Sequence, residues 1–316
     1  MILDLAAQGA QMFLVLLLAP LLVGHVRRVK ARLQRRRGPS VLQPYRDLLR
    51  LARKEVVLPE TASWIFRAAP YAIFAATWVA AALVPTFATH LMFSWSGDLI
   101  SIIALLGTAR FIQALAALDA GTSFGGLGSS REVMIASLAE PALTMLVFTI
   151  ALIAGTTQLS DIAAASLSPT LGLRISLALA LIGFVIVAIA ENARIPVDNP
   201  ATHLELTMVH EAMVLEYSGR YLALIDLAAA LKLLMYASLI ACVFAPWGLA
   251  RPGSSLAGYG IGMAAWAGKM LVAGTGLALF ETTIAKMRVF RVPDFLGIAL
   301  MLGLLGTLLL FVSRRL

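Results

Sequence analysis

The chain has 316 residues, of which 60% are hydrophobic and only 13% are charged, and its mean hydropathy is +0.89. Soluble domains are about 45–50% apolar and about 25% charged. A soluble fold of this length could not bury so much apolar surface, so the composition predicts that lipid surrounds much of the chain. The net charge of +8 comes from clustered Lys and Arg residues, and we read the clusters as topology signals rather than as a nucleic-acid-binding surface.

Eight apolar stretches are long enough to cross a bilayer, which takes roughly 20 residues of α-helix. Helices are required because lipid cannot satisfy free backbone groups. The sequence therefore predicts an all-α, polytopic integral membrane protein, a single membrane domain over residues 1–316. The first run is predicted to be a retained span, because its basic block follows the apolar residues instead of preceding them. The predicted spans are 8–26, 68–89, 97–118, 133–155, 174–191, 221–247, 257–281 and 295–313.

The first loop, 27–67, is strongly basic. It holds twelve Lys and Arg residues; all loops on its side together hold eighteen, against four on the other side. Because cytoplasmic loops carry the excess of Lys and Arg, we predict that odd-numbered loops are cytoplasmic and that both termini face outward from a cell (inner) membrane. Residues 45–53 place apolar side chains at helical spacing, which predicts an amphipathic helix at the interface or beneath a docked subunit.

Two features precede or interrupt the fourth span. The stretch 121–130 (GTSFGGLGSS) is predicted to be a cytoplasmic loop, and it follows no strand, so a phosphate-binding loop is not favoured. Pro141 follows Glu140 within the span. Because proline removes a backbone donor, it is expected to loosen the helix there and to let water reach the carboxylate.

Ionisable side chains inside spans are costly and indicate functional sites. For Glu140 and Glu191 proton transfer is favoured, because a carboxylate in a low dielectric can take up and release a proton near neutral pH. For Arg110 and Lys269 a structural ion pair or a snorkelling position explains the charge at least as well. The full set is Arg110, Glu140, Asp226, Lys232 and Lys269, with Glu191 and Glu281 near span ends.

The fifth loop, 191–220, is acidic and predicted to be cytoplasmic. Glu205 and Glu216 are eleven residues apart and would share a helix face. Such a row of acids is suited to passing protons or to docking a basic partner surface, and a solvated acidic loop explains it equally well. Its carboxylates are Glu191, Asp198, Glu205, Glu211 and Glu216.

Ligands for a cofactor are scarce in this sequence. Cys242 is the single cysteine, whereas an iron–sulfur cluster usually takes four thiolates. His210-Glu211 begins like an HExxH zinc motif, but Val214 stands where the second histidine belongs, and His203 adds only a second ligand. We therefore predict that this chain binds no cofactor and that any redox centre lies on a partner.

Two long segments resemble a known family. They are RRRGPSVLQPYRDLLRLARKE at 35–55 and AENARIPVDNPATHLELTMVHEAMVLEYSG at 190–219. Both are similar to the membrane subunit shared by respiratory complex I, where it is subunit 1, and by the membrane-bound group 4 nickel–iron hydrogenases. The resemblance covers essentially the whole chain, including the number of spans.

Details of these motifs resemble the hydrogenase branch, of the formate hydrogenlyase and hydrogenase-4 type. The element after Gly38-Pro39 is shorter than in complex I, and Ala201 and His203 stand where the complex I loop carries glutamates. The segments SSREVMIASLAEP at 129–141 and AKMRVFRVPDFLG at 285–297 are also of the hydrogenase type. The missing glutamates weaken both a full complex I proton path and a quinone site.

The resemblance implies a subunit that seats a hydrophilic redox arm on the membrane and takes part in proton coupling. The implied partners are the hydrogenase large and small subunits, an iron–sulfur subunit and antiporter-like membrane subunits, with the nickel–iron centre and the iron–sulfur clusters on those partners. The implied proton-path residues are Glu140, Glu191, Asp198, Glu205, Glu211, Glu216, Asp226 and Lys232. The implied docking residues are Arg36, Arg37, Gly38, Pro39, Gln43, Asp47 and Lys54.

Three alternatives stay open on the sequence alone. The chain could be a complex I subunit with quinone at its cytoplasmic face, and the shortened first loop counts against this. It could be a passive anchor whose acids only dock partners. It could be an autonomous transporter, which the lack of an inverted repeat disfavours.

Overall fold

The computed structural model describes residues 2–167, 175–198, 208–251 and 253–315, and the regular secondary structure of these residues is helical. Backbone hydrogen bonds within each helix satisfy the polar groups that lipid could not. In chain order the helices are α1 (Ile2–Leu33), α2 (Gln43–Ala52), α3 (Trp64–Leu83), α4 (Leu99–Asp119), α5 (Ser123–Ala154), α6 (Leu159–Ser166), α7 (Ile175–Glu191), α8 (His210–Val214), α9 (Gly219–Phe244), α10 (Leu256–Thr283) and α11 (Val292–Arg315).

Seven of the described helices are long and apolar enough to cross a bilayer, namely α1, α3, α4, α5, α9, α10 and α11. Helix α7 adds a shorter apolar helix of 17 residues. Together these eight helices confirm the predicted all-α, polytopic membrane fold. The helix predicted at residues 45–53 is present as α2.

The two ends of the bundle are built from different segments. One end contains the last residues of α1 and α4, the first residues of α9, and the short helices α2 and α8. We call it the basic end because it carries the segment 27–67. There the Ser218 hydroxyl donates to the Val57 carbonyl at 2.9 Å. At the opposite end, the far end, Thr89 N–H donates to the Ala250 carbonyl at 3.0 Å. Long-range hydrogen bonds to backbone carbonyls therefore close the bundle at both ends.

The core divides into a large and a small cluster of buried apolar side chains. The large cluster runs through the middle of the bundle and includes Phe184, Leu231 and Trp266. The small cluster lies at the basic end, where the rings of Phe66 and Tyr217 stack with their centroids 4.0 Å apart. Burying a large apolar side chain contributes about 1.5–3 kcal/mol, so the small cluster fixes the basic end firmly.

Helix α5 begins ten residues before the predicted span, and the prediction of a loop at 121–130 is wrong. The Thr122 hydroxyl accepts a hydrogen bond from the Gly125 N–H at 3.2 Å and caps the helix. The glycines serve close packing: a Cβ on Gly125 would lie 2.4 Å from the Ala117 carbonyl, and one on Gly128 would lie 3.0 Å from the Ala212 side chain. Glycine is selected here by neighbouring helices, which a local sequence pattern does not reveal.

The same helix runs through Pro141 without interruption, so the expected break at this position is not observed. Proline removes one backbone donor but leaves the helical path intact when neighbouring helices hold it. Glu140 consequently projects from a continuous helix, roughly midway between Ser123 and Ala154.

Helix α3 ends six residues before its predicted span does. Beyond Leu83 the chain continues as irregular structure at the far end of the bundle. Gln11 of α1 satisfies backbone groups at this end, because its side-chain amide donates to the carbonyls of Ala82 at 2.8 Å and Val84 at 3.0 Å. Pro85 follows directly and cannot continue a helical hydrogen-bond pattern.

Asp119 ties the start of α3 to the end of α4. Its Oδ2 accepts hydrogen bonds from the Ser63 N–H at 2.9 Å, the Ser63 hydroxyl at 2.9 Å and the Phe66 N–H at 3.2 Å. We expect Asp119→Ala to lower the free energy of unfolding by about 1.5–3 kcal/mol, because hydrogen bonds to a charged group contribute that much. Thermal unfolding of the detergent-purified protein measures the loss. Glu60→Ala, at an exposed residue nearby, serves as the control.

Candidate functional site

A cluster of charged side chains lies between α4, α5, α7 and α9. Arg110 is buried in α4, and its guanidinium contacts Glu191 at the end of α7. It also lies 3.6 Å from Glu132 and 3.4 Å from Glu140, both on α5. Lys232 of α9 completes the set, since its Nζ is 3.2 Å from the Glu191 carboxylate. We call these five residues the Arg110 cluster.

The helix geometry explains why one arginine reaches two acids of α5. Glu132 and Glu140 are eight residues apart, about 12 Å along the helix axis, and they face the same neighbour. The Arg110 side chain lies between them, with Nε toward Glu132 and Nη1 toward Glu140. Gly107, one turn before Arg110, lies beside the same acid, since a Cβ there would be in ordinary van der Waals contact with the Glu140 carboxylate at 3.6 Å.

The charges of the Arg110 cluster do not balance when all are ionised, because three carboxylates face two cations. Buried charges are tolerated only when they are paired, and interactions between them are strong in a low dielectric. Taking up or losing one proton at Glu132, Glu140 or Glu191 therefore changes the electrostatic energy of the other members. Such a set of coupled carboxylates is suited to handing on protons.

A second group, the loop cluster, lies beside it and consists of Asp198, Lys286, His210 and Gln113. Lys286 Nζ donates to the Asp198 carboxylate at 2.9 Å, and the His210 N–H donates to the same carboxylate at 3.4 Å. The His210 ring nitrogen Nδ1 is 3.4 Å from the Gln113 amide. Burial lowers the pKa of His210, which favours the neutral imidazole, although the nearby Glu211 opposes this.

A third group joins α1, α10 and the segment after α7. Glu281 accepts from Lys30 at 2.9 Å and from Arg194 at 3.5 Å. Burial and the charge of Arg27 lower the pKa of Arg194, while Glu281 acts in the opposite direction. Lys30 and Arg194 thus share one carboxylate, and Arg27 acts electrostatically on Arg194, so this corner of the basic end carries excess positive charge.

The structure brings together part of the predicted proton path. Glu140, Glu191 and Lys232 belong to the Arg110 cluster, and Asp198 lies in the adjacent loop cluster. Glu211 lies in the first turn of α8, directly after His210. Whether protons pass through these residues stays a prediction.

The remaining predicted proton-path residues lie outside the Arg110 cluster. Asp226 is exposed on α9, and its electrostatic neighbours are Glu211, Arg27 and Asp47. Glu216 is half-buried just before α9. Glu205 lies outside the described residues, and so does the helix face that it was predicted to share with Glu216. His203 of the rejected metal motif lies outside them too.

Glu132 belongs to the Arg110 cluster, and sequence reasoning missed it. The predicted fourth span began at residue 133, so Glu132 was assigned to a loop where a charge needs no explanation. One signal was available, because Glu132 and Glu140 share a helix face if the helix begins earlier. For Arg110 the sequence favours a structural ion pair at least as strongly as a functional role, and the structure places it at the centre of the cluster.

Lys269 takes the snorkelling position considered from the sequence. Its Nζ donates to the carbonyls of Ala245 at 2.6 Å and Trp247 at 2.5 Å, beyond the end of α9. These carbonyls lie at the far end, away from the Arg110 cluster. Lys269 therefore satisfies backbone groups at that end of the bundle and takes no part in the charged site.

The predicted docking residues lie on or beside α2. Arg36 and Arg37 are exposed in the segment between α1 and α2, with Gly38 and Pro39 directly after them. On α2, Gln43 donates to Asp47 at 3.1 Å. Their docking role stays a prediction.

The two sequence motifs contact each other through Lys54 and Gly219. Gly219 has φ +55°, and a Cβ there would lie 2.8 Å from the Lys54 carbonyl and 2.6 Å from the Glu55 carbonyl. Any larger residue would separate the segments, so glycine is required for both conformation and space. The basic segment and the start of α9 consequently form one packed unit.

Comparison with known proteins agrees with this architecture. A family model described as NADH dehydrogenase matches residues 7–312. Formate hydrogenlyase subunit 4 of Escherichia coli (strain K12) is 32% identical over 283 residues, covering 90% of this chain and 91% of that protein. Hydrogenase-4 component C of the same organism is 37% identical over 246 residues, covering 77% and 76%. NADH-ubiquinone oxidoreductase chain 1 of Triticum aestivum is 29% identical over 241 residues, covering 72% and 73%.

A solved structure shares the fold over nearly the full length. It is a chain of the membrane-bound sulfane sulfur reductase (MBS), an archaeal respiratory membrane complex, with a TM-score of 0.83 and 19% identity over 97% of this chain and 99% of that one. At this identity the likeness shows the fold alone.

The eight apolar helices, the charged clusters between them and these likenesses together define a multi-pass membrane subunit of a complex I-like assembly. Such a subunit works with partners. The chain belongs to the NADH dehydrogenase family. The resemblance to the complex I and hydrogenase membrane subunits is thereby confirmed.

Proposed function

We propose that this chain is the membrane subunit that seats the redox arm of a group 4 nickel–iron hydrogenase complex of the formate hydrogenlyase type, and that it passes protons to neighbouring membrane subunits. The observation that carries the proposal is the Arg110 cluster, in which three carboxylates from two helices share two cations inside the bundle. The likeness to formate hydrogenlyase subunit 4 and hydrogenase-4 component C supports the choice of complex.

Protons enter from the basic end in this proposal. The loop cluster with His210 and Asp198 lies nearest the loops, and the charge of Lys232 acts on both His210 and Glu191. From Glu191 the proton reaches the carboxylates of α5. Arg110 keeps its own proton throughout, since guanidinium does not release it in proteins, and so it orients the acids and stabilises their charge.

Glu140 is the exit in this proposal. It lies in the middle of α5, yet 50% of its side chain is exposed on the outer surface of the bundle. Exposed large apolar residues, Val133 and Phe148, lie on the same helix. A carboxylate facing lipid at this depth is costly, so an antiporter-like membrane subunit is the partner that fits over Glu140.

The basic end holds the redox arm in this proposal and faces the cytoplasm, with both termini outside. The exposed Arg36 and Arg37 and the α2 helix offer a basic, partly apolar platform. The large, small and iron–sulfur subunits of the hydrogenase dock on it and carry the nickel–iron centre and the iron–sulfur clusters.

Gentle purification tests the assignment to a hydrogenase. The chain is tagged and isolated in detergent with its adhering subunits, which are then assayed for nickel, iron and hydrogen production. Nickel together with hydrogen production supports the proposal. Iron without nickel, together with NADH–quinone activity, would place the chain in a complex I instead.

Glu140→Gln tests the exit. The amide keeps the size of the side chain but cannot carry a proton. We therefore expect proton movement into proteoliposomes to fall by about 10²-fold, the low end for loss of a proton-transferring group. A pH-sensitive dye measures it during hydrogen production. Glu60→Gln in the exposed basic segment is the matched control. Unchanged proton movement in an intact Glu140→Gln complex would leave only the passive-anchor role.

A further inference from the structure

A cavity of about 360 Å³ lies between α1, α7, α9 and α10. It borders the Arg110 cluster at Tyr236, which interacts electrostatically with Glu191 and Arg110. Its walls are apolar except at Asn192, Arg194 and Tyr236. Ligand pockets in proteins begin at about 300 Å³, and a dry cavity of about 150 Å³ already binds benzene. The space is therefore large enough for a hydrocarbon chain.

The cavity opens sideways toward the bilayer between α7 and α10. Ala273, Gly276 and Val185 line it and are also exposed on the outer surface of the bundle. On α10 the lining runs from Ala273 to Phe280, which places it about 5–15 Å from the end of that helix. This is the depth of an acyl chain whose head group rests at the basic end.

The cavity ends at a cationic corner. Arg194 lines it, and Arg194 shares Glu281 with Lys30 while Arg27 acts on Arg194 electrostatically. Arg27, Lys30 and Arg194 bring three positive charges to this corner, against the carboxylates of Glu281 and of Asp226, which also interacts with Arg27. One positive charge remains in excess. Basic pockets between transmembrane helices at the cytoplasmic side are suited to anionic lipid head groups.

We propose that this cavity holds one acyl chain of an anionic phospholipid, whose phosphate lies against Arg27 and Arg194 at the basic end. The charge selects the head group, and the apolar walls of α1, α9 and α10 select the tail. The lipid joins α1 and α10 to α7, and its site borders the Arg110 cluster only through the side chain of Tyr236.

Two glycines of α10 offer a matched pair of variants. A Cβ at Gly276 or at Gly268 would meet nothing within 4 Å, so both positions accept a large side chain. Gly276 lines the cavity and Gly268 does not. Gly276→Phe therefore fills the cavity, and Gly268→Phe adds the same ring to the same helix outside it.

Photo-crosslinking tests the proposal. The intact complex is reconstituted in nanodiscs with phosphatidylglycerol that carries a diazirine in its acyl chain, or with phosphatidylcholine that carries the same chain, and the labelled residues are mapped by mass spectrometry. We expect phosphatidylglycerol to label the cavity residues, Gly276→Phe to abolish this labelling, and Gly268→Phe to retain it. Arg27→Gln should reduce the labelling to the level seen with phosphatidylcholine.

Three results would overturn the proposal. If the lipid labels the Gly276→Phe variant at the same residues and to the same extent as the native chain, no acyl tail enters the cavity. Equal labelling by both lipids in the native chain would mean that the cationic corner selects no head group. If one quinone per complex is extracted from the native protein, and is absent only from the Gly276→Phe variant, the occupant of the cavity is a quinone. Co-purification of the partner subunits with each variant verifies its fold.

Discussion

Arg110→Met is expected to lower the free energy of unfolding by about 3–5 kcal/mol, the range found when one partner of a buried ion pair is removed. The side chain is buried and contacts Glu132, Glu140 and Glu191. Without it, Lys232 alone would face three carboxylates between four helices. Thermal unfolding of the detergent-purified complex measures the loss.

Lys269→Met is the control, because Lys269 is likewise a single cation in a predicted span. It binds two carbonyls beyond the end of α9, at the far end of the bundle. Those carbonyls can bind water or a head group instead, so we expect Lys269→Met to lower the free energy of unfolding by only about 1 kcal/mol. If Arg110→Met and Lys269→Met cost the same, the Arg110 cluster contributes no special stability.

Glu191→Gln is expected to lower hydrogen production and proton movement together by about 10²-fold, the lower bound for removal of a proton-transferring group. Glu191 is the only carboxylate of the Arg110 cluster that contacts both cations, Arg110 and Lys232. Glutamine preserves the size of the side chain but removes both the charge and the proton site. Activity and dye response are measured in the same proteoliposomes.

Asp161→Asn is the matched control for Glu191→Gln. Asp161 is exposed on α6 at the far end, where its carboxylate lies 3.7 Å from His90. Its substitution should leave both readouts unchanged. A Glu191→Gln complex with native activity, and with all its partner subunits present, would refute the proton path through α7.

The fold could be predicted largely from the sequence because lipid permits few alternatives. Any apolar run of sufficient length must form a helix, and eight such runs gave eight helices. The boundaries were less accurate. Helix α5 was shortened because Gly125 and Gly128 resemble a loop locally, whereas these glycines allow contact with Ala117 and Ala212 in other helices. Such long-range packing leaves no local signature.

Most residues of the candidate site could be predicted from the sequence, but not which of them contact each other. Charges in spans are rare, so Arg110, Glu140, Glu191 and Lys232 were apparent from the sequence. Their contacts join residues up to 81 positions apart in α4, α5, α7 and α9, and hydropathy carries no information on which helices are neighbours. Glu132 was missed for a different reason, because an error in one helix boundary moved it out of the span.

The contact of Gly219 with the carbonyls of Lys54 and Glu55 links the position of α9 to that of the segment after α2. The segment after α2 packs against Gly219, the first residue of α9. Lys232 lies thirteen residues further along the same helix, about 20 Å away. In the proposed function, a displacement of the segment after α2 by a docked redox arm is therefore expected to shift the helix that carries Lys232, the cation beside Glu191, without any charge travelling between them.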